Sequence, residues 1–316
     1  MTQLVCPEFD AFEAALYGVQ GKYVLRSRQY RDWRLKMIDL DGAAIMLGKE
    51  GASTAYSGTG MPGYFNIFVP LSAQQYTIVN GHAFDADTIG WMSPERMFHI
   101  VAERAASWLT VAIAAPLVVR WCQSHADEFD LASLSDNFVC TGRGPVPALR
   151  SMIGRILQVE RDDSAQLNFP NAAIVVRAEL VDKVLRAVLD GNDRSLRYRI
   201  VQRHRWILDR ALELLNSMPE GPILVDDLCA ATGASERTIR NVFHHYLGMS
   251  PHRYLMLYRM HRIRSAILNA GPAATVSEIC GRFGVWDFGR FAQLYCHYFG
   301  VIPSRTLGTR LSVKSS

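Results

Sequence analysis

The chain has 316 residues, about half of them apolar, and a formal net charge of +4. This length is sufficient for two domains that each bury a hydrophobic core. No charged start leads into an apolar run, and the most apolar stretch, Trp108–Val119, contains a proline and is too short to cross a bilayer. The six cysteines form no CxxC pair, which argues against a zinc site or a disulfide framework. These features predict a soluble, cytoplasmic protein.

Short strands separated by turn residues are predicted from Lys22 to Ala115. Apolar, β-branched and aromatic residues form runs bounded by Asp-Gly, Pro-Gly, Asn-Gly and Ser-Pro pairs. This pattern is typical of a small all-β barrel or sandwich, whose many aromatic residues either fill the interior or enclose a small apolar ligand. The predicted strands are Trp33–Leu40, Ala43–Leu47, Tyr64–Val69, Tyr76–Val79, Thr88–Met92 and Trp108–Ala114.

After the predicted strands, the spacing of apolar residues becomes that of helices. The predicted helices are Pro116–Ala126, Pro145–Val159 and Asn171–Leu189. An apolar stripe runs along the third helix and contains Leu180, Val181, Val184, Leu185, Val188 and Leu189. Two interpretations of this stripe are open, because it either covers the barrel or forms a contact between two copies of the chain. The segment Gly191–Ser195 is the best candidate for a linker after this helix.

The charge balance changes sign at this linker. Residues 1–193 carry 17 Lys and Arg against 22 Asp and Glu, whereas residues 194–316 carry 17 against 8. Every cation of the second part except Lys314 is an arginine, and the planar guanidinium binds phosphate or guanine bidentately. The distribution predicts a domain at 1–193 and a polyanion-binding domain at 194–316.

The second part contains one helical unit twice. The stretch SERTIRNVFHHYLGMSP begins at Ser235, and DFGRFAQLYCHYFGVIP begins at Asp287. At a constant offset, the matching pairs are Ser235 with Asp287, Ile239 with Phe291, Phe243 with Tyr295, Gly248 with Gly300 and Pro251 with Pro303. Each unit is preceded by a short helix and a turn that contains a glycine. The predicted helices here are Arg199–Ser217, Asp226–Ala231, one capped by Ser235, Pro251–Leu268, Val276–Arg282 and one from Asp287.

Two short helices in succession predict a helix-turn-helix, whose second helix lies in the major groove of DNA. In the first copy, Leu228, Ile239, Val242 and Phe243 are predicted to be buried. The opposite face then carries the candidate base readers Arg237, Arg240, Asn241 and His244. Arginine suits guanine and asparagine suits adenine.

The second copy is expected to read fewer bases. Arg290 and Gln293 are predicted to point outward, while Phe288 and Gly289 stand where polar side chains are expected. This half therefore relies more on DNA shape or apolar contact. The predicted helix Pro251–Leu268 spans 18 residues, or about 27 Å, and would space two recognition helices about one DNA turn apart. Predicted core positions are Trp206, Ile207, Leu214, Leu215, Phe291, Leu294 and Tyr295.

Residues 200–310 resemble the AraC/XylS family of bacterial transcription regulators. The resemblance is carried by LCAATGASERTIRNVFHHYLGMSPHRYLMLYRMHRIRSAIL, VSEICGRFGV and GRFAQLYCHYFGVIPSRTL. The variant with Trp286 and GRFAQLY looks like the branch that contains ethanolamine-operon regulators. One departure is that the family's usual FxRxFK reads FAQLYC from Phe291, which weakens the expected contact of the second copy. The resemblance implies an all-α domain with two helix-turn-helix units, and an N-terminal β-barrel-like (cupin-like) domain for effector binding and dimerisation.

Two other classes compete with this interpretation. A cupin-like enzyme is the first, but His82, His99 and His125 are isolated and no nucleotide-binding or serine-hydrolase motif is present. A non-specific architectural DNA-binding protein is the second, and the contrast between an acidic and a basic half argues against it. We therefore expect an α+β transcriptional activator without catalytic residues, cofactor or metal. Its expected partners are promoter DNA, RNA polymerase, an unknown small-molecule effector and a second copy of the chain, with no membrane contact.

Overall fold

The computed structural model describes residues 2–16, 19–30, 32–70, 77–85, 87–125, 134, 138–141, 145–162, 170–190, 202–218, 220–271 and 273–313. The chain divides into two compact units. The first comprises Met1–Tyr23, Arg31–Gly51 and Tyr56–Ile200, and the second comprises Val24–Tyr30, Ala52–Ala55 and Val201–Ser316. The predicted boundary at residue 193, the linker Gly191–Ser195, Tyr76, Ala126, Arg199 and Lys314 lie outside the described residues.

Two antiparallel sheets form in the N-terminal part of the chain; of the two predicted alternatives, a barrel or a sandwich, the closed barrel is not formed. The strands are β1 (Thr2–Cys6), β2 (Gln20–Leu25), β3 (Trp33–Asp39), β4 (Ala43–Lys49), β5 (Thr54–Thr59), β6 (Tyr64–Pro70), β7 (Thr77–Val79), β8 (His82–Phe84), β9 (Thr88–Met92), β10 (Phe98–Ala102), β11 (Ser107–Ala114) and β12 (Phe138–Thr141). The seven-stranded sheet has the order β1-β3-β4-β11-β6-β9-β12, and the five-stranded sheet has the order β2-β5-β10-β7-β8. The α+β class predicted from the sequence is confirmed.

Strand β11 lies at the centre of the larger sheet. Val111 pairs with Ile45 of β4 on one side and with Ile67 of β6 on the other. All three side chains are fully buried, because directly opposite residues of antiparallel strands share one face of the sheet. This apolar row forms the centre of the hydrophobic core of the unit.

Helices cover the apolar face of this sheet. The helices of the unit are α1 (Phe9–Ala15), α2 (Ala115–Ser124), α3 (Pro145–Asp162) and α4 (Pro170–Asp190). In α4, the side chains of Leu180, Val184, Leu185 and Val188 are fully buried and belong to the same core cluster as the sheet. The interpretation of the stripe as a contact between two copies is therefore wrong, because these side chains are already buried in the core of their own chain.

The described aromatic residues of the sheets pack against one another. The ring of Trp91 stacks on Phe65 with centroids 4.8 Å apart, and its Nε1 donates to the backbone oxygen of Leu134 at 2.9 Å. The Nε1 of Trp108 donates to Glu50 Oε1 at 2.9 Å. Buried indole groups with hydrogen-bonded N–H groups are structural parts of a core, so these two tryptophans fill the interior.

The second unit is a bundle of helices. These are α5 (Gln202–Ser217), α6 (Val225–Thr232), α7 (Glu236–Leu247), α8 (Pro251–Leu268), α9 (Val276–Arg282), α10 (Phe288–Phe299) and α11 (Pro303–Val313). Ile207, Leu215, Phe291 and Tyr295 are buried as predicted. Trp206 is 54% exposed and Leu214 and Leu294 are half-buried. The core prediction was thus wrong for Trp206, because the helix face that packs against α6 and α7 is narrower than the apolar pattern of α5.

The long helix α8 is the scaffold of this bundle. Its buried side chains point to several sides of the helix, which is typical of a helix surrounded by others. On one side, the ring of Tyr254 meets Phe243 of α7 edge to face, with centroids 5.5 Å apart. Further along, Arg264 is 1% exposed and its guanidinium lies 4.4 Å from the ring centroid of Phe299 in α10. Both recognition-type helices therefore pack on α8.

A buried polar network fixes α10 to α8 and α11. Arg264 Nη1 donates to Tyr295 Oη at 3.0 Å, and Tyr295 Oη donates to Thr306 Oγ1 at 3.1 Å. A buried guanidinium is unfavourable unless hydrogen bonds and ring faces replace its water. Tyr295 supplies both, so its hydroxyl is the central member of the network.

We expect Tyr295→Phe to lower the free energy of unfolding by about 1–3 kcal/mol, because it removes the acceptor of a charge-assisted hydrogen bond from a buried cation. Urea unfolding of the full chain followed by circular dichroism measures this change. Tyr30→Phe is the control, because Tyr30 is exposed and its hydroxyl should contribute less than about 0.5 kcal/mol. Equal stabilities of the two variants would contradict the role of the network.

Candidate nucleic-acid interface

The first helix-turn-helix is formed by α6, a tight turn and α7. Helix α6 ends at Gly233, whose φ of 62° is in the left-handed region that favours glycine. Ser235 caps α7, because its Oγ accepts the Thr238 N–H at 3.3 Å. Gly248, also at φ 62°, ends α7 and donates its N–H to the His244 oxygen at 3.1 Å. The predicted cap at Ser235 is confirmed.

The second helix-turn-helix repeats this geometry with different residues. Thr275 and Glu278 form a reciprocal capping box at the start of α9, and the hydrogen bonds from Thr275 lower the pKa of the Glu278 carboxyl. The turn passes through Gly284 at φ 69°. Asp287 caps α10 by accepting the Arg290 N–H at 3.0 Å, and Gly300 ends the helix at φ 74°. The paired positions of the sequence repeat therefore serve the same structural roles.

The predicted base readers of the first copy lie on the solvent face of α7. Ile239, Val242 and Phe243 are fully buried on the opposite face. The exposed side chains are those of Arg237, Arg240, Asn241 and His244. All four thus lie where a DNA duplex has access to them, and the helical spacing that predicted this face was sufficient to find it.

The exposed face of α10 is less polar than that of α7. Arg290 and Gln293 are exposed as predicted, and Phe291 and Tyr295 are buried. Phe288 and Gly289 are exposed at the first turn of the helix. Among the described residues of this turn, Arg290 supplies the cationic side chain, so this copy presents less charge than α7.

Glu236 is a site residue that the sequence interpretation missed. Its carboxylate Oε1 accepts a hydrogen bond from Arg240 Nη2 at 2.5 Å, within one helical turn. The signal for it was the spacing of four residues between an acid and a base in α7. Both side chains are about half exposed, so the pair adds little to stability. Its importance is that its carboxylate lies against the Arg240 guanidinium on the exposed face.

The histidines of the N-terminal unit have structural surroundings. His99 is fully buried, its Nδ1 lies 3.0 Å from Ser57 Oγ, and its backbone N–H donates to Asn80 Oδ1 at 2.9 Å. His125 stacks on Trp121 with ring centroids 4.1 Å apart. Within the described ranges, no group of three His, Cys, Asp or Glu side chains could hold a metal ion.

Free thiols are present at Cys6, Cys122, Cys229, Cys280 and Cys296, and burial raises the pKa of Cys280 to about 11. A thiol with such a pKa is almost fully protonated at neutral pH and reacts slowly. In the part of the chain that the structure covers, no helix is long and apolar enough to cross a membrane.

Comparison with known proteins identifies the double helix-turn-helix. A helix-turn-helix domain family matches residues 228–309. The probable thc operon regulatory protein of Rhodococcus erythropolis is 30% identical over 169 residues, which are 51% of this chain and 51% of that protein. The XylDLEGF operon transcriptional activator of Pseudomonas putida is 26% identical over 100 residues, or 31% of each chain. The chain thus spans about half the length of the first relative and less than a third of the second.

A solved structure is also similar to part of the chain. The probable AraC family transcriptional regulator from Rhodopseudomonas palustris is 27% identical, with a TM-score of 0.31, and the match covers 33% of this chain and 96% of that chain. The residues 228–309 matched by the helix-turn-helix family include α7, α8, α9 and α10. Residues 228–309 thus match a helix-turn-helix domain of the AraC type, and the chain is similar to AraC/XylS-like transcriptional regulators.

Proposed function

We propose that the protein is a ligand-responsive transcriptional activator that binds a promoter site through the exposed faces of α7 and α10. The observation that carries this proposal is the exposed row Arg237, Arg240 and Asn241 on a helix whose other face is fully buried. Guanidinium and carboxamide groups in such a row match the acceptor and donor pattern of guanine and adenine in the major groove. The proposed site residues are Arg237, Arg240, Asn241, His244, Arg290 and Gln293.

The length of α8 supports binding by both copies at once. The helix has 18 residues, which corresponds to about 27 Å at 1.5 Å per residue. Successive major grooves on one face of DNA are about 34 Å apart. A stiff helix of this length, with a recognition helix packed near each end, suits two contacts one turn apart within one chain.

Activation, effector binding and dimerisation are further parts of the proposal. The relative from Pseudomonas putida is named an operon transcriptional activator, which supports the sign of regulation and contact with RNA polymerase. An effector changes DNA affinity only if it binds two states of the protein with different affinities. We assign this role, together with homodimerisation, to the N-terminal domain that the sequence places at 1–193. Because the apolar stripe of α4 lies in the core of its own chain, we place the dimer contact outside this stripe.

Arg240→Ala should weaken binding to the specific site by about 1–3 kcal/mol and relax the preference at one base pair, because it removes a bidentate contact. Fluorescence anisotropy with the specific duplex and a random duplex at one salt concentration measures both effects. Arg210→Ala is the matched control, since Arg210 forms a similar exposed ion pair with Glu213 at 3.1 Å in α5. If Arg240→Ala lowers the affinity for both duplexes equally, Arg240 contacts phosphate rather than a base.

Arg290→Ala should weaken specific binding less than Arg240→Ala, because α10 has fewer polar side chains on its exposed face. Saturation mutagenesis of the binding site should accordingly show one stringent and one permissive half-element. Equal stringency in both half-elements would overturn the expected imbalance between the copies.

An effector should change transcription without being consumed. Candidate metabolites are added to the full chain with a reporter promoter, and their concentrations are followed together with the transcript. A response at constant metabolite concentration is the expected result, because the proposed role is binding and not turnover. Steady consumption of a compound with an unchanged transcript would instead favour a cupin-like enzyme.

A further inference from the structure

Two large aromatic side chains are exposed at the start of the second recognition helix. Trp286, in the turn before α10, is 76% exposed, and Phe288, in the first turn of α10, is 40% exposed. Neighbouring exposed apolar groups of this size are typical of a binding surface. We call Trp286 and Phe288 the aromatic surface.

The turn that carries the aromatic surface is firmly held. The N–H of Val285 donates to the Cys280 oxygen at 3.0 Å, and Asp287 caps the helix that follows. A Cβ atom at Gly281 would lie 3.6 Å from the ring of Trp286, so the ring lies over the last turn of α9. The two ends of the turn therefore fix the backbone from which both rings project, and binding requires little further ordering.

The aromatic surface lies next to the base-reading positions of the repeat, because Gly289 corresponds to Arg237. At the offset that pairs Ser235 with Asp287, Phe288 corresponds to Glu236 and Ala292 corresponds to Arg240. The first copy thus presents a charged pair joined at 2.5 Å where the second copy presents an aromatic ring and a methyl group. The two copies differ in the kind of contact they offer, and not only in its strength.

We propose that the aromatic surface contacts thymine methyl groups in the half-element bound by α10. This inference rests on the proposed function, namely that α10 enters the major groove. The C5-methyl group of thymine is the apolar group that base edges display in this groove, so it is the chemical partner of an exposed indole and phenyl ring. The cationic side chain of Arg290, exposed on the same turn, complements the phosphates that flank such a contact.

Replacing thymine by deoxyuridine tests this contact directly, because the exchange removes only the methyl group. Binding duplexes are first selected from a random pool with the full chain, and each thymine of the selected sequence is then replaced in turn. At one or two positions, the replacement should weaken binding about fourfold, the change that corresponds to roughly 0.8 kcal/mol for one buried methyl group. At the same positions, Trp286→Ala or Phe288→Ala should bind the thymine and deoxyuridine duplexes with affinities equal within about twofold.

Trp206→Ala is the matched control, because Trp206 is also an exposed tryptophan of this unit, on α5. This variant should retain the full deoxyuridine effect. Variants of Trp286 and Phe288 that remain sensitive to deoxyuridine, or that bind as tightly as the unchanged protein, would overturn the proposal. So would normal DNA binding combined with lost transcription, since this result assigns the surface to a protein partner. If no sequence is selected from the pool, the proposed function itself fails, and that outcome is distinct from the others.

Discussion

The buried guanidinium of Arg264 is the contact on which the geometry of the second half of the DNA-binding domain depends. It lies against Phe299 and donates to Tyr295, and both of these residues belong to the helix proposed to enter the groove. A cation enclosed by aromatic rings is stable only where its hydrogen-bond partners are correctly placed. The position of α10 on α8 is therefore specified by directional contacts in addition to apolar packing, and this suits a helix whose angle determines which bases it reaches.

The two copies of the helix-turn-helix share their helix ends but differ in their exposed faces. Their caps and terminal glycines are equivalent, from Ser235 and Asp287 at the start to Gly248 and Gly300 at the end. Their exposed faces have diverged, because solvent-facing positions do not affect packing and are free to change. Folding thus constrains where each helix begins and ends, while the base contacts that we propose use residues that folding leaves unconstrained.

The helices of the DNA-binding domain could be predicted well because their signals are local. A capping serine, a proline at the first turn and a glycine at the end act within a few residues, and α8 has the predicted bounds Pro251–Leu268. Strand β5 was missed because TAYSGT has no apolar alternation, although most of it is buried. Its burial comes from neighbouring strands that are distant in sequence, which a local pattern does not contain.

The same distinction between local signals and long-range packing applies to the candidate site. The exposed face of α7 follows from helical spacing, whereas the exposure of Trp206 and the burial of the stripe on α4 depend on which surface each helix meets. Two sheets in place of a closed barrel likewise follow from long-range pairing between strands. The pairing of Glu236 with Arg240 could have been predicted from the sequence, because the two residues are four positions apart in one helix.

The pairing of Glu236 with Arg240 has a consequence for the search along DNA. A protein moving over random sequence meets phosphates everywhere, and a free arginine would bind them at each step. The Glu236 carboxylate already accepts a hydrogen bond from Arg240 Nη2, so a phosphate oxygen that takes its place replaces one anionic partner by another and gains little. Guanine offers two acceptors in the plane of the guanidinium. At a guanine, the guanidinium of Arg240 therefore gains two hydrogen bonds when it leaves the Glu236 carboxylate. Under the proposed function, we expect the ion pair to shorten the residence time on wrong sites more than on the right one.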